Sequence, residues 1–359
     1  MTGRTLLITV AAFWLLFAAA CQAGQGAKTI RVLVLKTDSL TVTGAGEPAL
    51  EIKSGRNGAI TVNGKSVFPP VRLAPAEEFL YMNGRPYRGA SVVYAGPGGL
   101  SVVNELSLDD YIAGVINNEI SSKWPEEAVK AQAVVARTYA VYRMNTRTDA
   151  PYDIEGTVMG QVYSGAASED PEAIKAVRDT AGQILTFAGE PALTVYHSNA
   201  GGVTDSSEEI WAEYYPYLLS VDSPFDREAP RYVWEFALPA LSLKALLSVA
   251  GYDVGEVRGI KCDSFTPAGR VKSLVISGSS GKSVRMRGED LRKIIGYSYL
   301  RSSLFSVEKK GDLFVFTGRG SGHGVGMSQW GAKGMAEKGF SYAEVLRHFY
   351  KGTVIQKLY

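Results

Sequence analysis

Few side chains in this sequence stand where they could do chemistry, and the first is Glu119, in "NNEISSKWPEEAVKAQAVVARTYAVYRM" (117–144). Ile112, Val115 and Ile116 recur at helical spacing behind a Ser107 cap. One further turn of that helix places Glu119 three and four positions beyond Ile116 and Val115, on or beside the apolar face. A carboxyl group held there loses hydration; its charged form is disfavoured, its pKa rises toward the working pH, and it can serve as a general acid. The other reading ends the helix before Glu119 and leaves a solvated carboxylate, the usual state of that side chain.

The chain has three histidines, His197, His323 and His348. His197 lies in "VYHSNAGGVT" and His323 in "GRGSGHGVGMSQW", where glycines let backbone approach a ligand and leave N–H groups free to donate. Neither stretch has the phosphate-cradling pattern ending in Gly-Lys-Ser/Thr, and no strand–GxGxxG–helix unit with a distal acid is present, so no nucleotide and no cofactor is expected. His197 and His323 could meet in space with a carboxylate as third ligand, but the paired-histidine spacing of metalloproteases is missing and no metal is expected. "HSNAGG" resembles an oxyanion loop, yet no Gly-x-Ser-x-Gly elbow accompanies it. Aromatic residues gather at Trp211, Tyr214, Tyr215 and Tyr217, with Trp124 near Glu119 and Trp330 near His323. Such rings either pack a core or offer a face to a ligand that is apolar on one side and polar at its edge, as a sugar is.

The elements that must hold these groups fall in two parts. From residue 29 to about 105, short runs alternate apolar and polar residues and two Asn-Gly pairs mark hairpin turns, which predicts a β module. A helix begins after Ser107; a second starts near Pro125 as its first residue and presents Ala128, Ala131, Val135, Tyr139 and Tyr142 on one face, with a Glu126–Lys130 pair outside. Residues 171–181 read as a helix and "QILTFAGEPALTVYHS" as a hairpin turning at Gly189. "LSLKALLSVAG" is a helix with a glycine cap, "VKSLVISGSSGKSVRMRG" a hairpin, and the strand "DLFVFTG" enters the glycine-rich stretch before a last helix, "SYAEVLRHFY". The fold class is α+β: an N-terminal β module followed by a mixed α+β region. No period of a repeat protein is evident.

At 359 residues the chain suits two domains, or one elaborate domain with an added module, and 46% hydrophobic residues suffice for a packed interior. A net charge of +2 without basic runs gives no case for nucleic acid. Arg4 precedes an apolar run, Thr5 to Ala20, that is too short for a membrane span and ends in small residues, so residues 1–23 read as an export signal. Cleavage near Ala20 or Ala23 and lipidation of Cys21 both fit, and a lipid on Cys21 would be the chain's link to a membrane. Cys262 is left with at most Cys21 as partner, which excludes a disulfide framework and points to a small buried residue.

Taken together, "LDDYIAGVINNEISSKWPEEAVKAQAVVARTYAVYR", "GQVYSG", "AVRDTAGQILTFAGEPALTVYHSNAGGVTDSSEEIW", "YLLSVDSP" and "GRGSGHGVGMSQWGAKGMAEKG" resemble the SpoIID/LytB family of peptidoglycan-remodelling envelope proteins. The motifs run in the family's order from about Leu100 to the C-terminus. The resemblance thus implies an export signal (1–23), a β-rich accessory module (28–99) and a SpoIID/LytB-type region (100–359) in an exported protein of the cell envelope. It implies a lytic transglycosylase acting on glycan strands that lack stem peptides, with Glu119 at the position of the catalytic glutamate. Arg137, Gln161, Tyr163, His197, Ser198, Gly201, Gly202, His323, Ser328 and Gln329 match motif positions expected to line the glycan cleft; Arg137 is equally read as fixing a neighbouring carboxylate. Some relatives bind zinc between the long helix and the "QVY" motif, but "NTRTDAPYDIEGTVMGQVYSG" holds no cysteine or histidine, so that site is not carried over. The family also includes amidase enhancers, which bind the wall and stimulate a separate N-acetylmuramoyl-L-alanine amidase, and this is the competing reading. Nothing in the sequence specifies sporulation.

Overall fold

A computed structural model describes residues 28–46, 48–55, 58–147, 150–157, 160–279 and 281–359; the expected signal segment and Cys21 lie outside them. Among these residues eight α-helices and several sheets form a mixed α+β fold. The alternation in Thr29–Thr37 and Gly99–Ser107 makes them antiparallel partners, Thr29 opposite Ser107, in a five-stranded sheet. Ala90–Gly96, Val71–Leu73 and a parallel strand, Ile154–Glu155, complete it. A six-stranded sheet lies beside it, and both expected Asn-Gly turns are present: Asn63-Gly64 and Asn83-Gly84 have positive φ at both residues, as a two-residue hairpin turn demands.

Helix α1 (Leu108–Glu119) starts where the Ser107 side chain accepts from the Asp110 N–H, with Asp109 and Asp110 in its positive first turn. Its apolar face, Tyr111, Ile112, Val115 and Ile116, joins Ile30, Val32, Leu40, Ile52 and Val102 in one cluster, so the β-rich segment and the helices share a core. Gly114 permits the closeness of the next layer: a Cβ there would lie 2.5 Å from the Tyr163 ring.

Helix α2 (Glu126–Thr146) differs from the expectation in two ways. Pro125 caps it instead of opening it, since its ψ of 133° is extended. More importantly, the helix is buried on nearly every side, because the residues opposite the expected stripe are themselves small and apolar. Val129, Ala133, Ala136 and Ala140 face the first core, and Ala131, Val134 and Val135 face another, built with Leu218, Met327, Met335 and Phe349. The Glu126–Lys130 ion pair stands at 2.7 Å as expected.

Helix α3 (Pro171–Asp179) follows, capped by Asp170. The hairpin at Gly189 exists but is short, pairing Phe187 with Glu190 and Thr186 with Pro191. Its second arm then leaves, because its backbone groups are claimed elsewhere: Tyr196–His197 pairs in parallel with Met327–Ser328, and Tyr350 Oη donates to the Val195 carbonyl at 2.8 Å. After a short helix α4 (Ser207–Trp211), residues 233–319 fold around a separate cluster that includes Trp234, Leu243, Leu274 and Phe316. That module holds helices α5 (Ala240–Val249) and α6 (Gly288–Ile295) and two three-stranded sheets, and Cys262 on one of its strands is half-buried, less covered than expected. The chain returns through the glycine-rich stretch to α7 (Gln329–Glu337) and α8 (Tyr342–Phe349), the latter opened by a capping box of Ser341 and Glu344. No helix among the described residues is long and apolar enough to cross a membrane.

Candidate active site

The two asparagines ahead of Glu119 act as clamps. Asn117 Nδ2 donates to the Ser168 carbonyl (3.0 Å) and to Asp170 Oδ2 (2.9 Å), while its Oδ1 accepts from the Ser122 N–H (3.0 Å). Asn118 Nδ2 donates to Ser168 Oγ at 3.1 Å and its Oδ1 accepts from Ser164 Oγ at 3.1 Å. The last turn of α1 is thereby fastened to the segment 160–170. Glu119 is the last residue of α1 and half-buried, so the helix does not end before it, as the alternative had it.

One donor meets the carboxyl group within hydrogen-bond distance, the Val162 N–H, 3.4 Å from Oε1, and the Tyr196 hydroxyl and the Gln329 side chain lie near enough to favour its charged form. Burial nevertheless outweighs them and pushes the Glu119 pKa above its ordinary value. Tyr196 is in turn braced. Gln161 Nε2 donates to Tyr196 Oη (3.2 Å) and to the Ala136 carbonyl (3.3 Å), while Gln161 Oε1 accepts from Tyr111 Oη (3.2 Å). The carbonyl can only accept, which fixes the amide orientation and leaves the Tyr196 proton to point at Glu119. Burial and the Glu119 charge raise the Tyr196 pKa well above the ordinary phenol value, so it remains a donor. The resulting chain runs Tyr111 → Gln161 → Tyr196 → Glu119. A cavity of about 340 Å³ opens on it, lined by Glu119, Tyr139, Gly160, Val162, Tyr196 and His323.

The two histidines of the glycine-containing loops do meet, with ring centroids 5.2 Å apart. Among the described residues no group of three histidine, cysteine or acidic side chains gathers around them. His197 Nδ1 lies 3.1 Å from the Val325 carbonyl and carries the proton there; its Nε2 is buried without a partner. His323 Nδ1 accepts from the Val325 N–H at 3.1 Å, so its Nε2–H donates to the Tyr196 carbonyl at 3.0 Å. Burial holds both rings neutral, His323 down to about 4 and His197 well below its ordinary value. His323 is therefore a fixed wall of the cavity that grips the backbone of Tyr196, with no nitrogen free for proton transfer.

The other expected residues divide. Gln329 reaches Glu119, and Gln161 stands one bond behind it. Ser328 Oγ donates to Asp226 Oδ1 (2.7 Å) and caps α7 by accepting from the Gly331 N–H (3.1 Å). Gly201 and Gly202, at φ 74° and 104°, shape the loop that Asp226 Oδ2 gathers from the Ala200 and Gly202 N–H groups. Ser198 contributes its carbonyl, which accepts from the Trp330 N–H at 3.0 Å. Arg137 and Tyr163 point elsewhere. The fully buried Arg137 guanidinium ties Asp109 of α1 (2.8 Å) to the carbonyls of Val177 and Gln183 (each 3.2 Å), so it does fix a carboxylate, but at the far end of α1 from Glu119. Tyr163 packs on Tyr111 and donates to Asn104 Oδ1 at 3.1 Å, in the core. Tyr196, Val162 and Asp226 had not been singled out from the sequence. Tyr196 had one available signal, its position next to His197 in a strand, which turns the two side chains to opposite faces.

Trp124 and Trp330 contact edge to face at 5.0 Å, one after α1 and one beside Gln329, with the Lys333 ammonium 5.1 Å from the Trp330 ring. Trp211 lies 5.2 Å from the His323 ring. Indoles thus lie in the immediate sequence and spatial neighbourhood of both Gln329 and His323.

Comparison with known proteins adds to this geometry. The family model described as Stage II sporulation protein (SpoIID) matches residues 97–187, and one for a domain of unknown function, DUF8618, matches residues 178–326. An uncharacterised protein of Brachyspira hyodysenteriae is 31% identical over 82% of this chain and 79% of its own length. Stage II sporulation protein D of Bacillus amyloliquefaciens is 34% identical over 71% of this chain and 76% of that protein. The amidase enhancer of Bacillus subtilis is 30% identical over 68% of this chain but only 40% of its own length.

Proposed function

Since this chain belongs to the Stage II sporulation protein D family, we propose that it is an exported lytic transglycosylase of the cell envelope that cleaves peptide-free glycan strands with Glu119 as its acid and base. The observation that carries this reading is the single half-buried carboxyl group among the described residues lining the cavity. Glu119 is the one acidic side chain among the described lining residues, and its raised pKa favours the protonated form that must begin the reaction. Ordinary glycoside hydrolysis needs a pair of carboxyl groups about 5–9.5 Å apart, whereas an intramolecular cleavage needs one.

The Glu119 carboxyl gives its proton to the oxygen between N-acetylmuramic acid and N-acetylglucosamine as the muramic C1–O bond breaks. The C6 hydroxyl oxygen of the same muramic residue then bonds to C1, and the Glu119 carboxylate takes the hydroxyl proton. The products are a 1,6-anhydro-muramic end and a free 4-hydroxyl on the glucosamine, and Glu119 is protonated again. Tyr196, the Val162 N–H and Gln329 stabilise the carboxylate during its charged interval, while burial favours the acid form.

A regulatory reading has its own support in the relative named amidase enhancer: binding of peptidoglycan and stimulation of a separate N-acetylmuramoyl-L-alanine amidase, with Glu119 not catalytic. The two readings separate when the mature protein and Glu119→Gln are incubated with purified peptide-free strands and the ends are analysed by mass spectrometry. Anhydro-muramic ends from the wild type, reduced at least a hundredfold in the variant, establish the transglycosylase. Reducing ends would mean hydrolysis, and binding without cutting by both proteins would leave the enhancer.

A further inference from the structure

Residues 233–319 have an apolar core of their own, yet one of their side chains leaves it for the active-site loops. Arg270, in the turn before the strand Val271–Gly278, is fully buried between the loop 199–205 and the loop 322–325. Its Nη2 donates to the Ala200 carbonyl at 2.7 Å, and its Nη1 lies 3.4 Å from the Val203 carbonyl and 3.9 Å from Asp205 Oδ2. Gly324 admits it: a Cβ at that residue would lie 2.3 Å from Nε and Nη2. Asp205 ties the parts together, since its N–H donates to the Gly324 carbonyl at 2.7 Å and its Oδ2 accepts from Thr266 Oγ1 of the same module at 2.6 Å.

For stability alone this arrangement is a poor choice. Burying a guanidinium costs several kcal/mol, and apolar side chains of similar volume commonly replace a buried ion pair with no loss. Arg270 Nε and Asp205 Oδ1 are moreover left without a partner. What the arrangement does fix is the spacing of the two loops. The second loop carries His323, whose ring is set by the Val325 N–H and grips the Tyr196 carbonyl, while the Tyr196 side chain lines the same cavity as Glu119 and its hydroxyl favours the charged carboxylate.

We propose that Arg270 is a positioning residue for Glu119, through which the module of residues 233–319 sets the geometry of the active site. The proposal rests on the acid–base reading of Glu119. The groups around that carboxyl are Tyr111, Tyr139, Tyr196, Gln329 and His323, and the one whose hydroxyl Arg270 controls at two removes is Tyr196.

The test is the titration of Glu119 itself, followed by NMR of protein labelled with carbon-13 at glutamate carboxyls and assigned with Glu119→Gln. In Arg270→Ala the Tyr196 hydroxyl loses its fixed place, so Glu119 should titrate at higher pH than in the wild type. Free guanidinium ion should restore the wild-type titration, and sodium chloride at the same ionic strength should not. Formation of anhydro ends should fall about tenfold or more and recover with guanidinium in the same way. A folded Arg270→Ala protein with wild-type titration of Glu119, or one that responds equally to both salts, overturns the proposal. Should Arg270→Ala not fold, Arg270→Lys decides, because it keeps the charge without the fork: a shifted titration supports positioning and an unchanged one refutes it. Absence of anhydro ends from the wild type would sink the transglycosylase reading while leaving this titration to be read on its own.

Discussion

Tyr196→Phe removes one oxygen from the donor set of Glu119 and leaves the ring in place. The hydroxyl is backed by Gln161 at 3.2 Å, so it donates as part of a polarised chain to a group that becomes charged. A hydrogen bond to a charged group contributes about 1.5–3 kcal/mol, and at about 1.4 kcal/mol per pKa unit its loss raises the Glu119 pKa by roughly one to two units. The sign follows from the state that is favoured: Tyr196 stabilises the carboxylate, so without it the acid form persists to higher pH. The rate of anhydro-end formation falls as Glu119 loses its proton, and the high-pH limb of the pH–rate profile should therefore move upward by that amount. Stability should change little, about 1 kcal/mol, because Gln161 keeps its bond to the Ala136 carbonyl. Tyr139→Phe, on the same cavity wall, serves as control and should leave the limb in place. A Tyr196→Phe limb coincident with that of the wild type, in a protein folded by circular dichroism, would refute the hydroxyl–carboxyl contact on which the site has been built.

Arg137→Ala should destabilise by about 3 kcal/mol or more in urea melts, because it strands Asp109 and two carbonyls, yet folded protein should retain the wild-type pH profile. Asp226→Ala leaves the Ala200 and Gly202 N–H groups and the hydroxyls of Ser223 and Ser328 without their acceptor, and a loss of about 3–5 kcal/mol is expected by the same measurement. His323 has a folded pKa of about 4 against 6.5, so the unfolded chain binds that proton first. Its contribution is whole above about pH 6.5 and is lost as pH falls toward about 4, on the order of 3 kcal/mol in all. Half-buried Glu119 and buried Asp226, whose pKa values are raised, oppose this loss, so the comparison is wild type against His323→Asn, which should weaken the acid dependence of the urea midpoint.

Local signals were enough for α1: the Ser107 cap, the two aspartates and the apolar spacing all act within one helix, and the same spacing set Glu119 on or beside its apolar face with the solvated reading still open. They failed for α2, where Val129, Ala133, Ala136 and Ala140 are as apolar as the stripe that was read, so helical periodicity could not reveal that both faces are covered. For Arg137, whether a guanidinium serves a ligand or a helix end depends on what lies beyond its reach in sequence, here 28 residues away at Asp109. Tyr196 acquires its role from a carbonyl contact with His323 across 127 residues, and Asp226 from Ser328 across 102. Such chemistry is created by tertiary closure and leaves no spacing to read.

The position of α2 between two cores has a consequence for how the protein comes apart. Val129, Ala133 and Ala136 cannot lose their neighbours without exposing the β-rich side, nor Ala131, Val134 and Val135 without exposing the side built by α7 and α8. Opening of α2 therefore means opening of both, and its central amides should exchange with solvent only in the most complete, least populated unfolding event. Glu119 hangs from the helix just before α2 and Gln161 is bonded to the α2 backbone at Ala136, which puts the carboxyl group's surroundings among the slowest-exchanging parts of the molecule. Ligand-facing groups usually sit on the loosest tissue of a fold; here Glu119 stands beside the helix expected to open last, while the loops that bear the histidines border a neighbouring module through Arg270.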